Sequence, residues 1–159
     1  MGIALPLYGQ EKPKTCALAC LRMVLAKFGV HVPEHTLEAQ AIMEPGGTRI
    51  EELERLARLY HLSAEIHEIK LGDLHSVLSQ GKLAIAYIDR AIFDLSPRLR
   101  ARHSLRHAKI HTVVPTQISA GRISFHDPLG PRITRRSLKL FQQAYAKLGN
   151  HCVVCSKPP

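Results

Sequence analysis

Along the first third of the chain, apolar residues recur at the three-to-four spacing of helices. Ala17, Cys20, Leu21, Val24, Leu25 and Phe28 line one face of a segment from Cys16 to Phe28. Thr15 stands where an N-cap belongs, and Gly29 where such a helix stops. Pro33 precedes a second short helix over Glu34 to Met43, with acidic residues near its start. Pro45-Gly46-Gly47 then breaks the chain. Thr48 caps a third helix, Arg49 to Tyr60, with Ile50, Leu53, Leu56, Ala57 and Tyr60 facing inward.

Beyond Tyr60 the period shortens. Ala64 to Ile69 alternates as a strand does, Leu71 to Ser79 is helical again, and Lys82 to Ile88 is a short apolar strand after Gly81. Ile110 to Ile118, Arg122 to Phe125 and Cys152 to Cys155 complete the strands, and Ser137 to Lys147 is a late helix. Ser119-Ala120-Gly121 reads as a hairpin turn between two of those strands. Helices come first and strands dominate later, which predicts an α+β domain with an antiparallel sheet. A length of 159 residues is that of a single domain able to bury a core, and residues 1–159 are taken as one.

Composition narrows the classes. Hydrophobic residues at 45% and charged residues at 22% are ordinary for a folded protein and exclude intrinsic disorder. No apolar run approaches the roughly 20 residues of a membrane span, and the first ten residues carry no secretory signal, so a cytoplasmic protein is expected. The charge is less ordinary: 22 Lys and Arg against 13 Asp and Glu give +9, which favours an anionic partner. Much of it sits in one place. Residues 90–109 hold Arg90, Arg98, Arg100, Arg102, Arg106 and Lys109 against a single acid, Asp94, and read as a long exposed basic loop inserted into the domain.

Four cysteines without a secretory signal are thiols or metal ligands rather than disulfides. Cys16 is the one at a helix start, where free N–H groups and the helix dipole favour the thiolate that attacks carbonyls. Gln10, six residues upstream, can offer a side-chain amide which, with the Cys16 N–H, makes a donor pair for an oxyanion. His111 opens an apolar strand and can act as base toward the thiol. Asp127 ends the following strand, and a hairpin at 119–121 brings it to the same end as His111, where it can fix the imidazole tautomer. Taken singly, each has an ordinary explanation: a small buried thiol, a strand-end histidine, a turn residue before proline. Together they form a constellation.

Gln10, then five residues, then Cys16 with Ala17 and Ala19 in a helix ending Phe28-Gly29 resembles a known signature, as does His111-Thr-Val-Val leading to Phe125-His-Asp127-Pro-Leu-Gly130. The pattern resembles the bacteriocin-processing, double-glycine-leader peptidases, a papain-like family of cysteine peptidases. The Gly47-Thr48 break before the helix of Leu53 and Leu56 matches as well. The resemblance implies a papain-like fold, its N-terminal helical half packed on the antiparallel sheet. It implies cleavage of a peptide or leader after Gly-Gly, with Cys16 as nucleophile, His111 as base and acid, Asp127 as orienter and Gln10 as oxyanion donor. No cofactor and no metal are implied, and a separate exporter of the ABC type is the implied partner. The chain departs from the family pattern at Thr15-Cys16-Ala17, where Asp-Cys-Gly is common, and at Thr112, where an aromatic residue often follows the histidine.

Other readings remain open. Cys16-x-x-x-Cys20 with Cys152-x-x-Cys155 could supply four thiolates to zinc, although the valines between the second pair suit a strand rather than a knuckle. His103, His107 and His126 read as solvated loop histidines. A basic nucleic-acid module finds little support, since residues 90–109 carry one aromatic, Phe93, and no binding motif. A papain-like domain that only binds a peptide is the third alternative.

Overall fold

The computed structural model describes residues 2–159. Helix α1 (Cys16–Lys27) is followed by α2 (Glu34–Gln40) and α3 (Ile50–Leu59), then β1 (Ser63–Glu68), α4 (Leu71–Ser79) and β2 (Leu83–Asp89). Two short helices, α5 (Ala91–Asp94) and α6 (Pro97–Arg102), and a 3-10 turn at Leu105–His107 lead to β3 (Ile110–Ser119). The chain continues through β4 (Arg122–Asp127), β5 (Arg132–Ser137), α7 (Leu138–Lys147) and β6 (His151–Ser156). The fold is α+β: one six-stranded sheet in the order β1-β6-β2-β3-β4-β5, every neighbouring pair antiparallel.

The alternation along β2 shows how the sheet divides the core. Leu83 and Ile85 face a cluster built from α1, α2 and α3, whereas Ala84, Ala86 and Ile88 face a second one built from α4, α5 and α7. Both faces are therefore covered, and β2 reads as a continuous apolar run for that reason. The expected packing of the N-terminal helices on the sheet is present, and a second helical layer lies opposite it. In that second layer Phe93, Phe125, Phe141 and Tyr145 pack together with neighbouring centroids 5.3 to 6.5 Å apart, Phe93 and Phe125 stacked and the other pairs tilted.

α1 is buried on more than the one face its periodicity predicts. Nine of its twelve residues are buried, because Ile3, Leu5 and Tyr8 of the N-terminal segment join α2 and α3 in covering it. Gly29, at φ 84°, closes its C-terminus in a Schellman arrangement: the Gly29 N–H donates to Ala26 and the Val30 N–H to Leu25.

Three expectations are corrected. The second helix ends at Gln40 rather than Met43, since Ala41 is already extended (φ −85°, ψ 146°). Strand β5 was not expected, because Arg132-Ile-Thr-Arg-Arg-Ser lacks an apolar stripe; it exists by pairing with β4 at the sheet edge, where arginines discourage further strand addition. Residues 90–109 are not a long exposed loop but a folded excursion of two short helices and a 3-10 turn. Its neck is closed by the Arg90 N–H bond to the Lys109 carbonyl (2.9 Å). Beside that neck, the fully buried Asp89 carboxylate accepts from the Ala91 N–H (3.1 Å), the Lys109 N–H (2.9 Å) and His103 Nε2 (2.7 Å).

Candidate active site

α1 presents Cys16 in its first turn, where backbone N–H groups have no intrahelical acceptor. Thr15 occupies the N-cap position but does not cap them. Its hydroxyl turns back into the preceding loop, accepting from the Lys12 N–H (3.1 Å) and donating to the Lys12 carbonyl (3.0 Å). The positive end of the helix is thus left to the thiol and to whatever lies in front of it.

The β3–β4 hairpin supplies the next two groups. Its two turn residues, Ala120 and Gly121, both have positive φ (49° and 69°), the geometry that matches strand twist in a two-residue loop. The ladder runs from Ser119↔Arg122 to Val114↔His126, past a bulge between Pro115 and Gln117. Beyond the last pair, at the open end, His111 Nε2 lies 2.7 Å from Asp127 Oδ1, with both residues buried. The Leu129 N–H donates to the same carboxylate oxygen at 2.9 Å, holding it in place. With Nε2 committed to Asp127, Nδ1 is the imidazole nitrogen left for the Cys16 thiol, and each of the two groups shifts the other's pKa.

The charges follow from these contacts. Burial opposes ionisation of Cys16, but hydrogen bonding to His111 and Thr112 outweighs it, and the thiol pKa falls below its ordinary value. Burial would likewise strip the proton from His111, yet the Asp127 carboxylate and the Cys16 thiol hold it, and its pKa is pushed up to about 9. For Asp127 the penalty of burial is reversed by His111 and the Leu129 N–H, with Arg90 adding to the effect, and its pKa is lowered. The three groups favour a thiolate, an imidazolium and a carboxylate in a row. The other thiols behave oppositely. Burial pushes Cys152 up to about 11, Cys155 up to about 12 and Cys20 well above the ordinary range.

Gln10 is brought to the same corner. Gly9 packs so closely on Pro131 that an added Cβ would sit 2.9 Å from the ring, and the Gln10 N–H donates to the Pro128 carbonyl at 2.9 Å, just past Asp127. The Gln10 amide nitrogen donates to the carbonyls of Lys12 (2.8 Å) and Pro13 (3.1 Å), while its Oε1 is buried without a partner. Glu34, fully buried at the start of α2, accepts from the Glu11 N–H at 2.9 Å and so ties down the same loop. A groove of about 410 Å³ adjoins the site, walled by Gly46, Gly47, Thr48, Tyr87 and Ile110. Ile110 precedes His111 in β3, and Tyr87 lies opposite Thr112 in the β2–β3 register.

Two histidines expected in solvent are buried instead. The His103 side chain is drawn in because Asp89, fully buried, requires a partner; His126, on β4, is buried with its Nδ1 unpartnered, and burial lowers its pKa. His107 is exposed, as expected. The cysteine pairs lie on different elements, and among the described residues no three His, Cys, Asp or Glu side chains converge as a metal set. Sequence reasoning missed the parts of Thr112, Glu34 and Asp89. Nothing local marks them, since each acts on a residue distant along the chain.

A helical layer presenting a thiol to a His–Asp pair on an antiparallel sheet defines a papain-like thiol peptidase. The family model for the Peptidase C39 family matches residues 4–93, more than half of the chain, and the chain belongs to that family of cysteine peptidases. That match includes Gln10 and Cys16 and stops before His111 and Asp127. Solved structures share the fold along nearly the whole chain. A double glycine motif protease from an AMS/PCAT transporter, in complex with its leader peptide, has a TM-score of 0.73 at 17% identity, covering 98% of this chain and 93% of that one. A protein of Bacillus anthracis described as a C39-like peptidase gives 0.78 at 16% identity (96% and 94% covered). The peptidase domain of Streptococcus ComA, a bifunctional ABC transporter of a quorum-sensing pathway, gives 0.71 at 15% identity (96% and 98% covered). No curated protein sequence matches significantly. Among the described residues no helix is long and apolar enough to cross a membrane.

Proposed function

We propose that the chain cleaves a leader or other peptide after small residues such as Gly-Gly, with Cys16 as nucleophile, His111 as acid and base and Asp127 as the group that orients the imidazole. The whole of residues 1–159 is read as one peptidase unit, with 90–109 as an insertion. One observation carries the reading: a buried imidazole held by a carboxylate at 2.7 Å, with a helix-terminal thiol close enough for each to shift the other's pKa. The Cys16 thiolate attacks the scissile carbonyl, forming the C–S bond, and the carbonyl oxygen becomes an oxyanion facing the Cys16 N–H. His111 gives its Nδ1 proton to the leaving amine as the C–N bond breaks. Water, deprotonated by the now neutral His111, then attacks the thioester and releases the acid and the thiolate.

Gln10 serves as the second oxyanion donor. Its amide enters that role by exchanging one of its two backbone bonds, the one to Pro13 being the longer. The wall of the adjoining groove carries Gly46, Gly47 and Tyr87, whose hydroxyl donates to the Thr48 carbonyl (3.1 Å), and the two glycines suit a substrate without bulky side chains. The relatives that are domains of ABC transporters support an exporter as partner.

The test is site-resolved iodoacetamide alkylation of Cys16 across pH 4 to 9, in wild type and His111→Ala, followed by cleavage of Gly-Gly, Ala-Ala and Leu-Leu peptides. Wild type should react well below pH ~8.5, the free-thiol value, and lose that reactivity without the imidazole. Only the Gly-Gly peptide should be cut efficiently. A Cys16 that titrates like a free thiol in both proteins leaves a peptide-binding domain instead, and equal cleavage of all three peptides removes the Gly-Gly preference.

A further inference from the structure

The residue after the histidine stands between two thiols. Thr112 is buried, 1% exposed, and its hydroxyl oxygen lies 3.6 Å from Sγ of Cys20, one turn beyond Cys16 on α1. Cys16 stands one turn before Cys20 on the same face of α1, and Thr112 is, after His111, among the groups that hold its pKa down. The β3–β4 ladder begins only at Val114, which leaves the first residues of β3 unpaired on the β4 side.

The direction of these bonds is determined by proton counting. Cys20 is fully buried in the apolar cluster around α1, where a thiol holds its proton and can act only as a donor to oxygen. A hydroxyl that accepts from Cys20 has one proton of its own to place. Among the described residues no carbonyl takes it, which leaves it for the Cys16 sulfur one turn before Cys20.

We infer that Thr112 is a catalytic residue whose hydroxyl donates a hydrogen bond to the nucleophilic Cys16 sulfur, and that Cys20 is the positioning residue that aims it. This rests on Cys16 being the nucleophile. The sulfur then receives hydrogen bonds from His111, from the Thr112 hydroxyl and from the Thr112 N–H. A thiolate gains from each of them, whereas a neutral thiol, a weak acceptor, gains little. The hydroxyl needs no charge of its own and does not titrate, so it holds the nucleophile ionised without competing with His111 for the leaving group. The titratable groups facing the sulfur are His111 from β3, Cys20 from α1 and Tyr87 from β2, with Asp127 on β4 acting through His111. Cys20 and Tyr87 both remain neutral, since burial raises both.

The experiment is the pH profile of Cys16 alkylation, read by mass spectrometry so that Cys20 is counted separately, with the unfolding midpoint of each variant as control. Thr112→Val, near-isosteric and lacking the hydroxyl, should move the midpoint of thiolate formation up by about one pH unit, a tenfold loss of reactive thiolate below it. Thr112→Ser should restore the wild-type midpoint. Cys20→Ala should shift it in the same direction by less, and Cys20→Ser, which keeps a donor, should not. Should Thr112→Val fail to fold, the Cys20 pair decides. Unchanged midpoints in Cys20→Ala and in folded Thr112→Val overturn the inference. His111→Ala separates the two ideas: if it shifts the profile and Thr112→Val does not, only the role of Thr112 fails; if neither does, the nucleophile assignment fails first.

Discussion

At the scale of single residues, the site is a question of where protons rest. His111 binds its proton more tightly in the fold than in the open chain, its pKa being raised to about 9 from the ordinary 6.5. The stabilisation that this pairing gives is therefore full below pH 6.5 and is lost as pH rises through about 9. With His111 as the proposed acid, activity should have the same upper bound, because the leaving amine would take its proton from the imidazolium. On the acid side it is limited by Cys16, whose pKa is lowered. The profile of kcat/KM should thus be a bell whose acid limb lies below the free-thiol value and whose alkaline limb lies near pH 9. A single limb rising at the free-thiol pKa is the contrary result. Gln10→Ala should lower kcat by about 10²–10³, as loss of an oxyanion donor does, while the pH profile of Cys16 alkylation stays as in wild type. A fall in alkylation as well would mean that Gln10 acts only by shaping the loop.

At the scale of elements, the hairpin between β3 and β4 and the buried clasp at the end of β2 hold the strand that carries His111. Ala120 sits in the left-handed region at φ 49°, where a side chain costs about 1–2 kcal/mol relative to glycine. Ala120→Gly should therefore stabilise the protein by about 1 kcal/mol by denaturant titration, the glycine's extra chain entropy offsetting part of the relief, with activity unchanged. The clasp behaves in the opposite way. Asp89 and His103 are both shielded from water, and Asp89 also binds the N–H groups on either side of the 90–109 excursion. Asp89→Ala leaves His103 and two N–H groups without their acceptor, and should lower stability by about 3–5 kcal/mol. A loss under 1 kcal/mol would show that water replaces the carboxylate there.

At the scale of the whole molecule, the charge has a location. Arg100, Lys139 and Lys147 line a groove of about 630 Å³ between α6 and α7, floored by Ile92, Pro97, Ala101, Leu140 and Ala146 and without an acid in its walls. With a net charge of +9, an acidic peptide substrate should be drawn to the protein, and kcat/KM for such a peptide should fall as ionic strength rises. Arg100→Ala and Lys139→Ala should weaken the salt dependence by changing KM rather than kcat. Processing that is indifferent to salt and to both substitutions would assign the charge to solubility alone.

How much of this was legible in the chain depends on the range over which each feature is decided. α1, α4 and α7 and the spans of the central strands were readable because hydrophobic period and Gly or Pro punctuation act within a few residues. Cys16, His111 and Asp127 were readable because a helix start, a strand start and a strand end are local features, and the hairpin at 119–121 made their convergence an expectation. What the chain could not disclose are relations between distant residues. β5 is a strand because β4 offers it hydrogen bonds, His103 is buried because Asp89 is, and α1 is enclosed because the N-terminal segment lies over it. The amide of Gln10 is turned to Lys12 and Pro13 by the loop that Glu34 anchors, and Thr112 meets a thiol 92 positions away. By itself the sequence determined which segments coil or extend and which side chains have the chemistry of a thiol peptidase. Tertiary packing alone decided which polar groups are buried together, and therefore where each proton is held, because an isolated buried charge is too costly to remain without a partner.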